Sequence, residues 1–102
     1  MKRALKMDDS DNVATATSKV LGGESVAVIS SEGEVVMELQ ARLDIPFGHK
    51  LALQGIDVGE EIVKYGEVIG VASEGVLQGE WVHTHNVESG RLPIEGDEEG
   101  VF

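Results

Sequence analysis

Two histidines near the end of the chain, His83 and His85, are separated by one residue and follow the only tryptophan, Trp81. Apolar and polar residues alternate over residues 81–87, which predicts a β-strand. In a strand, residues two apart project from the same face, about 6–7 Å apart. Two imidazoles on one face can share a metal ion or hold a carboxylate or hydroxyl group. The alternative is that both lie on a solvated face, and the spacing alone does not decide between them.

The composition of the 102 residues predicts one small domain built from strands. Hydrophobic residues make up 41% of the chain, which is enough for a folded core, but aromatic residues make up only 4%. The core must therefore consist mainly of aliphatic side chains, with Trp81 and Phe47 expected to pack within it. Aliphatic β-branched residues together with 13 glycines favour short strands joined by tight turns.

The chain is acidic, with a formal net charge of −11 from 19 acidic and 8 basic side chains. Such a surface repels nucleic-acid phosphates and anionic membranes, so neither is expected as a partner. The charge would suit a high-salt cytoplasm, where screening reduces self-repulsion. The absence of cysteine excludes disulfides and a cysteine nucleophile, and it fits a cytoplasmic protein. No apolar run reaches the roughly 20 residues that a membrane span needs.

One local pattern occurs four times: an aliphatic residue, two others, a glycine, two others and a second aliphatic residue. The four copies begin at Val20, Ile45, Ile56 and Val76. A tight turn explains the pattern, because glycine supplies the positive φ between one apolar anchor and the next short strand. The spacing between copies is uneven, which argues against a solenoid and favours a long, bent β-ribbon folded on itself. Residues 25–29 and 34–39 are expected to form a hairpin within it.

The rest of the chain adds little regular structure. Helix signals are weak, and at most one short helix is expected, near residues 14–19 or 73–77. After residue 88 the sequence becomes polar, glycine-rich and acidic. We therefore expect a domain over residues 1–91 and a flexible acidic tail over residues 92–102.

Three stretches, residues 45–53, 63–70 and 82–87, resemble in order the small N-terminal domain of the altronate/galactarate dehydratase family. They read IPFGHKLAL, VKYGEVIG and VHTHNV, and the opening DNVA at residues 11–14 is similar to the start of the same family. The resemblance covers roughly residues 4–91. The chain is also similar to the small subunit of sulfolactate sulfo-lyase and, more distantly, to the SAF domains of sialic acid synthases and antifreeze proteins.

The resemblance implies a mostly β, SAF-like β-clip fold, with a long bent ribbon and short additional strands. It implies hexuronate-derived sugar acids as substrates and a divalent metal, commonly Fe²⁺, with Mn²⁺ as an alternative. In many members the domain is fused to a much larger catalytic domain. For this chain we expect that part to be a separate polypeptide or an adjoining domain, which acts as its partner.

The chemistry of the family indicates which residues to consider. Dehydration of a sugar acid removes a proton beside the carboxylate and expels a hydroxyl group two carbons away. It therefore needs a base, an acid or Lewis acid, and positive charge near the developing enediolate. His83 and His85 are the candidates for catalysis and for metal binding. Two ligands do not complete a catalytic metal site, so further ligands would come from His49 or from the partner.

Four further residues are candidates for substrate binding. Lys50 and Lys64 could pair with a substrate carboxylate, although an ordinary surface salt bridge is the alternative for each. His49 could face the same site, or it could hydrogen-bond within its own turn. Asn86 could donate to a substrate hydroxyl, or it could close a turn at the end of the strand.

These residues lead to one main hypothesis and two alternatives. The chain is expected to be the small component of a hydro-lyase acting on sugar acids such as altronate or galactarate. It would contribute histidines to a metal-assisted elimination and be inactive without its large partner. The first alternative is the small subunit of sulfolactate sulfo-lyase, and the second is a non-catalytic module that positions substrate or stabilises the assembly.

Overall fold

The computed structural model describes residues 1–88, which form nine strands and contain no helix. The strands are β1 (Lys2–Lys6), β2 (Val13–Ala16), β3 (Ser25–Ser30), β4 (Val35–Gln40), β5 (Lys50–Ala52), β6 (Glu61–Lys64), β7 (Glu67–Ala72), β8 (Trp81–Val82) and β9 (Val87–Glu88). The prediction of a mostly β fold of the β-clip type is confirmed. Residues 14–19 and 73–77, suggested for a short helix, form the end of a strand, bends and an isolated bridge instead. The predicted tail over residues 92–102 lies outside the described residues.

The strands form two sheets. The larger has the order β4-β3-β1-β2-β5-β8 and the smaller the order β6-β7-β9. β1 and β3 are parallel, and all other neighbouring strands are antiparallel. The predicted hairpin is confirmed as β3 and β4, joined by a turn in which Gly33 has a φ of 87°. In residues 1–88, no helix is long and apolar enough to cross a membrane.

Two aliphatic clusters form the core. The first is centred on the large sheet and includes the fully buried Val26, Val28, Ile45 and Leu51. The second packs between the sheets and contains Val13, Ala52, Ile56, Ile62, Ala72, Val76, Val82 and Val87. Trp81 is half-buried against the first cluster, as expected of a packing residue. Phe47 was expected in the core but is 70% exposed, because it lies at the tip of a turn.

The four repeated turns have one common hydrogen-bond scheme. The glycines Gly23, Gly48, Gly59 and Gly79 have φ values of 93°, 80°, 88° and 89°. Each glycine N–H donates to an alanine carbonyl, and that alanine's N–H donates to the carbonyl of the residue after the glycine. The alanines are, in the same order, Ala41, Ala16, Ala72 and Ala52. The aliphatic anchors bridge in pairs, Val20 with Ile45 and Ile56 with Val76. One turn type is therefore reused to fold the ribbon, as the sequence predicted.

Two adjacent polar side chains fix the small sheet to the large one. Asn12 accepts a hydrogen bond from the Val63 N–H and donates to the Glu61 carbonyl, at 2.8 and 2.9 Å. The buried carboxylate of Asp11 accepts from the Gly66 N–H at 2.8 Å. These bonds hold β6 and the turn that follows it, which carry Lys64, beside the start of β2.

Candidate functional site

The histidine segment is not one continuous strand, so the predicted strand over residues 81–87 is wrong for residues 83–86. Residues 83–86 form a turn between β8 and β9. Asn86 closes this turn: its amide oxygen accepts from the His83 N–H at 3.0 Å, and its amide nitrogen donates to the Trp81 carbonyl at 2.9 Å. A short amide side chain can form hydrogen bonds to the backbone in place of the bonds between strands. The alternation of apolar and polar residues does not indicate such a turn.

Asn86 is only 4% exposed, and both functional atoms of its amide already have backbone partners. Of the two roles considered for this residue, closing the turn is the one that the structure shows. A contact between Asn86 and substrate stays a prediction.

Three imidazoles meet at the indole ring of Trp81. His83 stacks on it, with ring planes 8° apart and centroids 5.5 Å apart. His85 is tilted against it at 5.3 Å, and His49 approaches at 5.5 Å in an edge arrangement. The rings of His49 and His83 are themselves 4.9 Å apart. The three histidines are thus brought together although His49 is 34 positions from His83.

Strand pairing accounts for this meeting. β5 lies against β8 at the edge of the large sheet, with Lys50 opposite Val82 and Leu51 opposite Trp81. The turn that ends at His49 therefore lies beside the start of the histidine segment. The sequence assigned Trp81 to packing alone, and its second role as a platform for three imidazoles was missed.

The indole N–H of Trp81 donates a hydrogen bond to Nδ1 of His49 at 3.2 Å. An indole nitrogen is only a donor, so Nδ1 of His49 must carry the lone pair. A neutral imidazole has one proton, which then lies on Nε2. Within residues 1–88, Nε2 of His49 has no hydrogen-bond partner, so it is an available donor.

Lys50 and Lys64 lie close enough for the charge of Lys64 to affect Lys50. Lys50 is only 7% exposed, and burial, followed by the positive charge of Lys64, lowers its pKa below the usual 10.5. Lys64 Nζ lies 5.1 Å from the centre of the Tyr65 ring. In the described part of the chain the only ion pair joins Lys2 and Glu24, so neither Lys50 nor Lys64 has a carboxylate partner there.

Electrostatics distinguish His83 from its neighbours. Burial lowers the pKa of His83 below the usual 6.5, and His49, Lys50 and His85, which repel its charged form when they are protonated, lower it further. The imidazole is therefore mostly neutral at pH 7 and retains a lone pair. A neutral imidazole can accept a proton or ligate a metal.

Among residues 1–88, no group of three or more histidine, cysteine or acidic side chains is arranged to hold a metal. His49 offers a donor at Nε2 and uses Nδ1 toward Trp81, which leaves His83 and His85 as available imidazoles. The described residues alone therefore do not form a complete catalytic metal site, because such a site takes at least three protein ligands.

A comparison of the four repeated turns shows what sets His49 apart. In three of them a glutamate follows the glycine and accepts a hydrogen bond from the first N–H of its own turn. The bonds are Leu21 to Glu24 at 2.8 Å, Asp57 to Glu60 at 2.7 Å and Leu77 to Glu80 at 2.9 Å. In the fourth turn the first position is Pro46, which has no N–H, and the glutamate is replaced by His49. This departure from the repeat is visible in the sequence and would have indicated His49.

The strand order and the glycine-turned ribbon define an SAF-type domain. Residues 2–90 match the altronate/galactarate dehydratase SAF domain, and the chain belongs to this family. It is 35% identical over 95 residues, 93% of this chain, to altronate dehydratase of Bacillus subtilis (strain 168). It is 36% identical over 78 residues, 76% of this chain, to galactarate dehydratase (L-threo-forming) of Escherichia coli (strain K12).

A second kind of relative is smaller. The chain is 43% identical over 53 residues, 52% of its length, to (2R)-sulfolactate sulfo-lyase subunit alpha of Paracoccus pantotrophus. The match covers 79% of that subunit, but only 18% of the altronate dehydratase and 14% of the galactarate dehydratase. The domain thus corresponds to a small part of the large dehydratases and to most of a small lyase subunit.

Proposed function

We propose that this domain is the small component of a sugar-acid dehydratase. In this proposal the surface formed by His49, Lys50, Trp81, His83 and His85, hereafter the histidine surface, lines one side of an active site that a large partner chain completes. Family membership and the small share of the dehydratases that the chain covers both support this role. The observation that carries the proposal is the convergence of three imidazoles on Trp81 beside a buried lysine.

The charges of the histidine surface fit an anionic substrate. The chain as a whole has a net charge of −11, yet Lys50 lies near Lys64 and near the imidazoles, and neither lysine has a carboxylate partner in residues 1–88. A cation kept free of protein carboxylates is available to a carboxylate of the substrate. We assign Lys50 and Lys64 to attraction and orientation of a sugar-acid carboxylate.

The elimination can be divided among these side chains. Neutral His83 accepts the proton beside the carboxylate, and positive charge at Lys50 stabilises the negative charge that develops on the carboxylate oxygens. The hydroxyl on the neighbouring carbon leaves with a proton as water, and the electron pair of the broken C–H bond forms the new double bond. His85, beside the same indole, is a candidate donor of the proton to the departing hydroxyl.

A metal has a place in this proposal only at a shared site. His83 and His85 would supply two ligands to Fe²⁺ or Mn²⁺, and the large chain would supply the others. When bound, such an ion supplies Lewis acidity toward the substrate oxygens. His83 would then act as a ligand, and the base would belong to the partner.

The test is a chimera in which the complete 102-residue chain replaces the matched segment of the Bacillus subtilis altronate dehydratase. We expect altronate turnover by the chimera, a loss of at least about 100-fold in kcat for His83→Ala, and a higher KM for Lys50→Met. Lys19→Met is the matched control, because Lys19 is exposed and does not contribute to the pKa of His83. Full turnover by the His83→Ala and Lys50→Met chimeras would instead identify a non-catalytic positioning module.

The small subunit of sulfolactate sulfo-lyase is the second candidate, favoured by the 79% coverage of that subunit. Elimination of sulfite also needs a base to accept the proton and a cation to stabilise the carboxylate, and it differs only in the leaving group. Binding of each acid to the 102-residue chain can be followed by NMR at the Trp81 indole N–H. Binding of sulfolactate, without binding of galactarate or altronate, would favour this candidate.

A further inference from the structure

We infer that Trp81 is a positioning residue that holds His49 in one tautomer, so that Nε2–H of His49 donates a hydrogen bond to an anionic oxygen of the substrate. The inference rests on the proposed function for the identity of that oxygen, which would belong to the carboxylate of a sugar acid. It gives His49 a role different from that of His83 and His85. His49 becomes a donor, whereas a base or metal ligand needs a free lone pair.

A histidine can occupy position 49 because the fourth turn lacks the N–H that donates to a glutamate in the other three turns. At each of the three equivalent turns a glutamate accepts a hydrogen bond from the first N–H of the turn, which has no other protein acceptor there. Pro46 removes that N–H in the fourth turn, so residue 49 is free of the structural task. The backbone bonds of the turn are kept: the Gly48 N–H donates to Ala16 and the His49 N–H to Pro46. The backbone at position 49 thus keeps its hydrogen bonds, while the side chain is not needed as an acceptor within the turn.

The hydrogen bond from Trp81 determines which ring nitrogen of His49 carries the proton. The side chain of His49 turns to Trp81, whose indole N–H occupies the Nδ1 lone pair. A base needs a lone pair directed at the substrate, and a metal ligand needs one directed at the ion. His49 has no such lone pair in this arrangement, and its remaining nitrogen carries a proton. The hydrogen bond from Trp81 therefore selects the donor form of His49.

His49 lies beside a buried lysine and a second imidazole. Lys50 follows His49 directly and is buried, and the ring of His83 lies 4.9 Å away at an interplanar angle of 64°. In the described residues there is no carboxylate paired with Lys50, so an incoming anion would meet both a cation and an N–H donor. A preorganised donor beside a cation stabilises negative charge that develops on oxygen. His83 supplies the lone pair, and His49 supplies the proton of the hydrogen bond.

The tautomer is tested on the 102-residue chain by NMR of the ¹⁵N-labelled imidazoles at pH 8. We expect the single proton of His49 on Nε2 in the unsubstituted chain, and a mixture of both tautomers in Trp81→Phe, which keeps an aromatic ring but has no N–H. His85→Gln is the control, because His85 contacts the same indole without taking part in this hydrogen bond. A proton on Nδ1 in the unsubstituted chain, or an unchanged tautomer in Trp81→Phe, would overturn the positioning role.

The donor role is tested in the altronate dehydratase chimera. Glutamine places an amide N–H₂ near the position of Nε2, so His49→Gln should retain a donor that His49→Ala lacks. We expect about a 100-fold loss of kcat for His49→Ala and about a tenfold loss for His49→Gln. Equal losses in the two variants would overturn the donor role. An inactive parent chimera would count against the proposed function alone, because the NMR result on the tautomer stands independently.

Discussion

The imidazole of His83 lies parallel to the indole of Trp81, with 8° between the ring planes and 5.5 Å between the centroids. One face of the imidazole is therefore removed from water, which disfavours its charged form. The positive groups at His49, Lys50 and His85 act in the same direction. The two effects together keep His83 neutral and able to accept a proton or a ligand bond at pH 7.

The first prediction concerns the pKa of His83 in the metal-free chain. An NMR titration of the imidazole resonances should give a pKa below 6.5, and Lys50→Met should move it back toward 6.5 by removing a nearby positive charge. Lys19→Met should leave the value unchanged. A pKa of His83 above 6.5 in the unsubstituted chain would contradict the burial and charge effects described here.

The same pKa shift has a consequence for stability. The unfolded chain binds a proton at His83 below about pH 6.5, whereas the folded chain binds it only at lower pH. The free energy of unfolding should therefore fall as the pH falls from 6.5 through the pKa of the folded state. Urea unfolding between pH 7.5 and 5 should show a shallower decline in His83→Gln than in the unsubstituted chain.

The second prediction is that Lys50→Met stabilises the domain while it impairs binding. Lys50 is buried without a carboxylate partner in residues 1–88, and its lowered pKa shows that the charged form is disfavoured in the fold. Methionine has a similar length and no charge, so we expect a gain of about 1 kcal/mol in the free energy of unfolding at pH 7. A loss of stability would mean that the ammonium group has a stabilising partner in the fold.

The pH dependence of this gain has a definite sign. Between the lowered pKa of folded Lys50 and 10.5, the unfolded chain binds a proton that the folded chain releases. The stability of the unsubstituted chain should therefore rise with pH in that window, and the advantage of Lys50→Met should shrink. Parallel urea curves at pH 7 and pH 10 for the two proteins measure this difference.

The sequence was informative about the fold because its signals are local. Alternating aliphatic residues define a strand within five or six positions, and a glycine with positive φ defines the turn that ends it. The hairpin of β3 and β4 and the four repeated turns were predicted for these reasons. The prediction of a continuous strand over residues 81–87 was wrong because the Asn86 side chain forms hydrogen bonds to the backbone of His83 and Trp81, which closes a turn.

The site depends on relationships that no local pattern contains. His49 reaches Trp81 because β5 pairs with β8, which sets Lys50 opposite Val82 across 32 positions of sequence. Alternation also gives no information on which ring nitrogen is protonated, since that follows from the partner of the other nitrogen. The replacement of glutamate by histidine after Pro46 is a local signal for His49 that the sequence did contain.

The third prediction tests the structural role of glutamate in the repeated turns. Glu60→Ala should lower the free energy of unfolding by about 1 kcal/mol, because the Asp57 N–H loses its acceptor at 2.7 Å. Glu60→Gln keeps an acceptor oxygen and should cost less. Urea denaturation followed by circular dichroism compares the three proteins. Equal stability of Glu60→Ala and the unsubstituted chain would show that water replaces the side chain at no cost.

The fourth prediction compares two glycines that share a backbone conformation but differ in their surroundings. Gly59 and Gly79 have φ values of 88° and 89°, so alanine introduces similar backbone strain at both, about 1 kcal/mol or somewhat more. A Cβ atom at Gly59 would meet nothing within 4 Å, whereas one at Gly79 would lie 2.2 Å from the carbonyl oxygen of Gln40. The second contact requires the backbone around Gln40 to move.

Gly79→Ala should therefore cost at least about 3 kcal/mol, well above the cost of Gly59→Ala. Movement near Gln40 would disturb the bond from the Arg42 N–H to the Gly79 carbonyl and shift the start of β8, which carries Trp81. Trp81 is the only tryptophan, so its fluorescence reports on the histidine surface directly. We expect altered native-state emission in Gly79→Ala and unchanged emission in Gly59→Ala. Equal stabilities and identical spectra would mean that the ribbon tolerates a Cβ at Gly79 and that the close packing against Gln40 does not position Trp81.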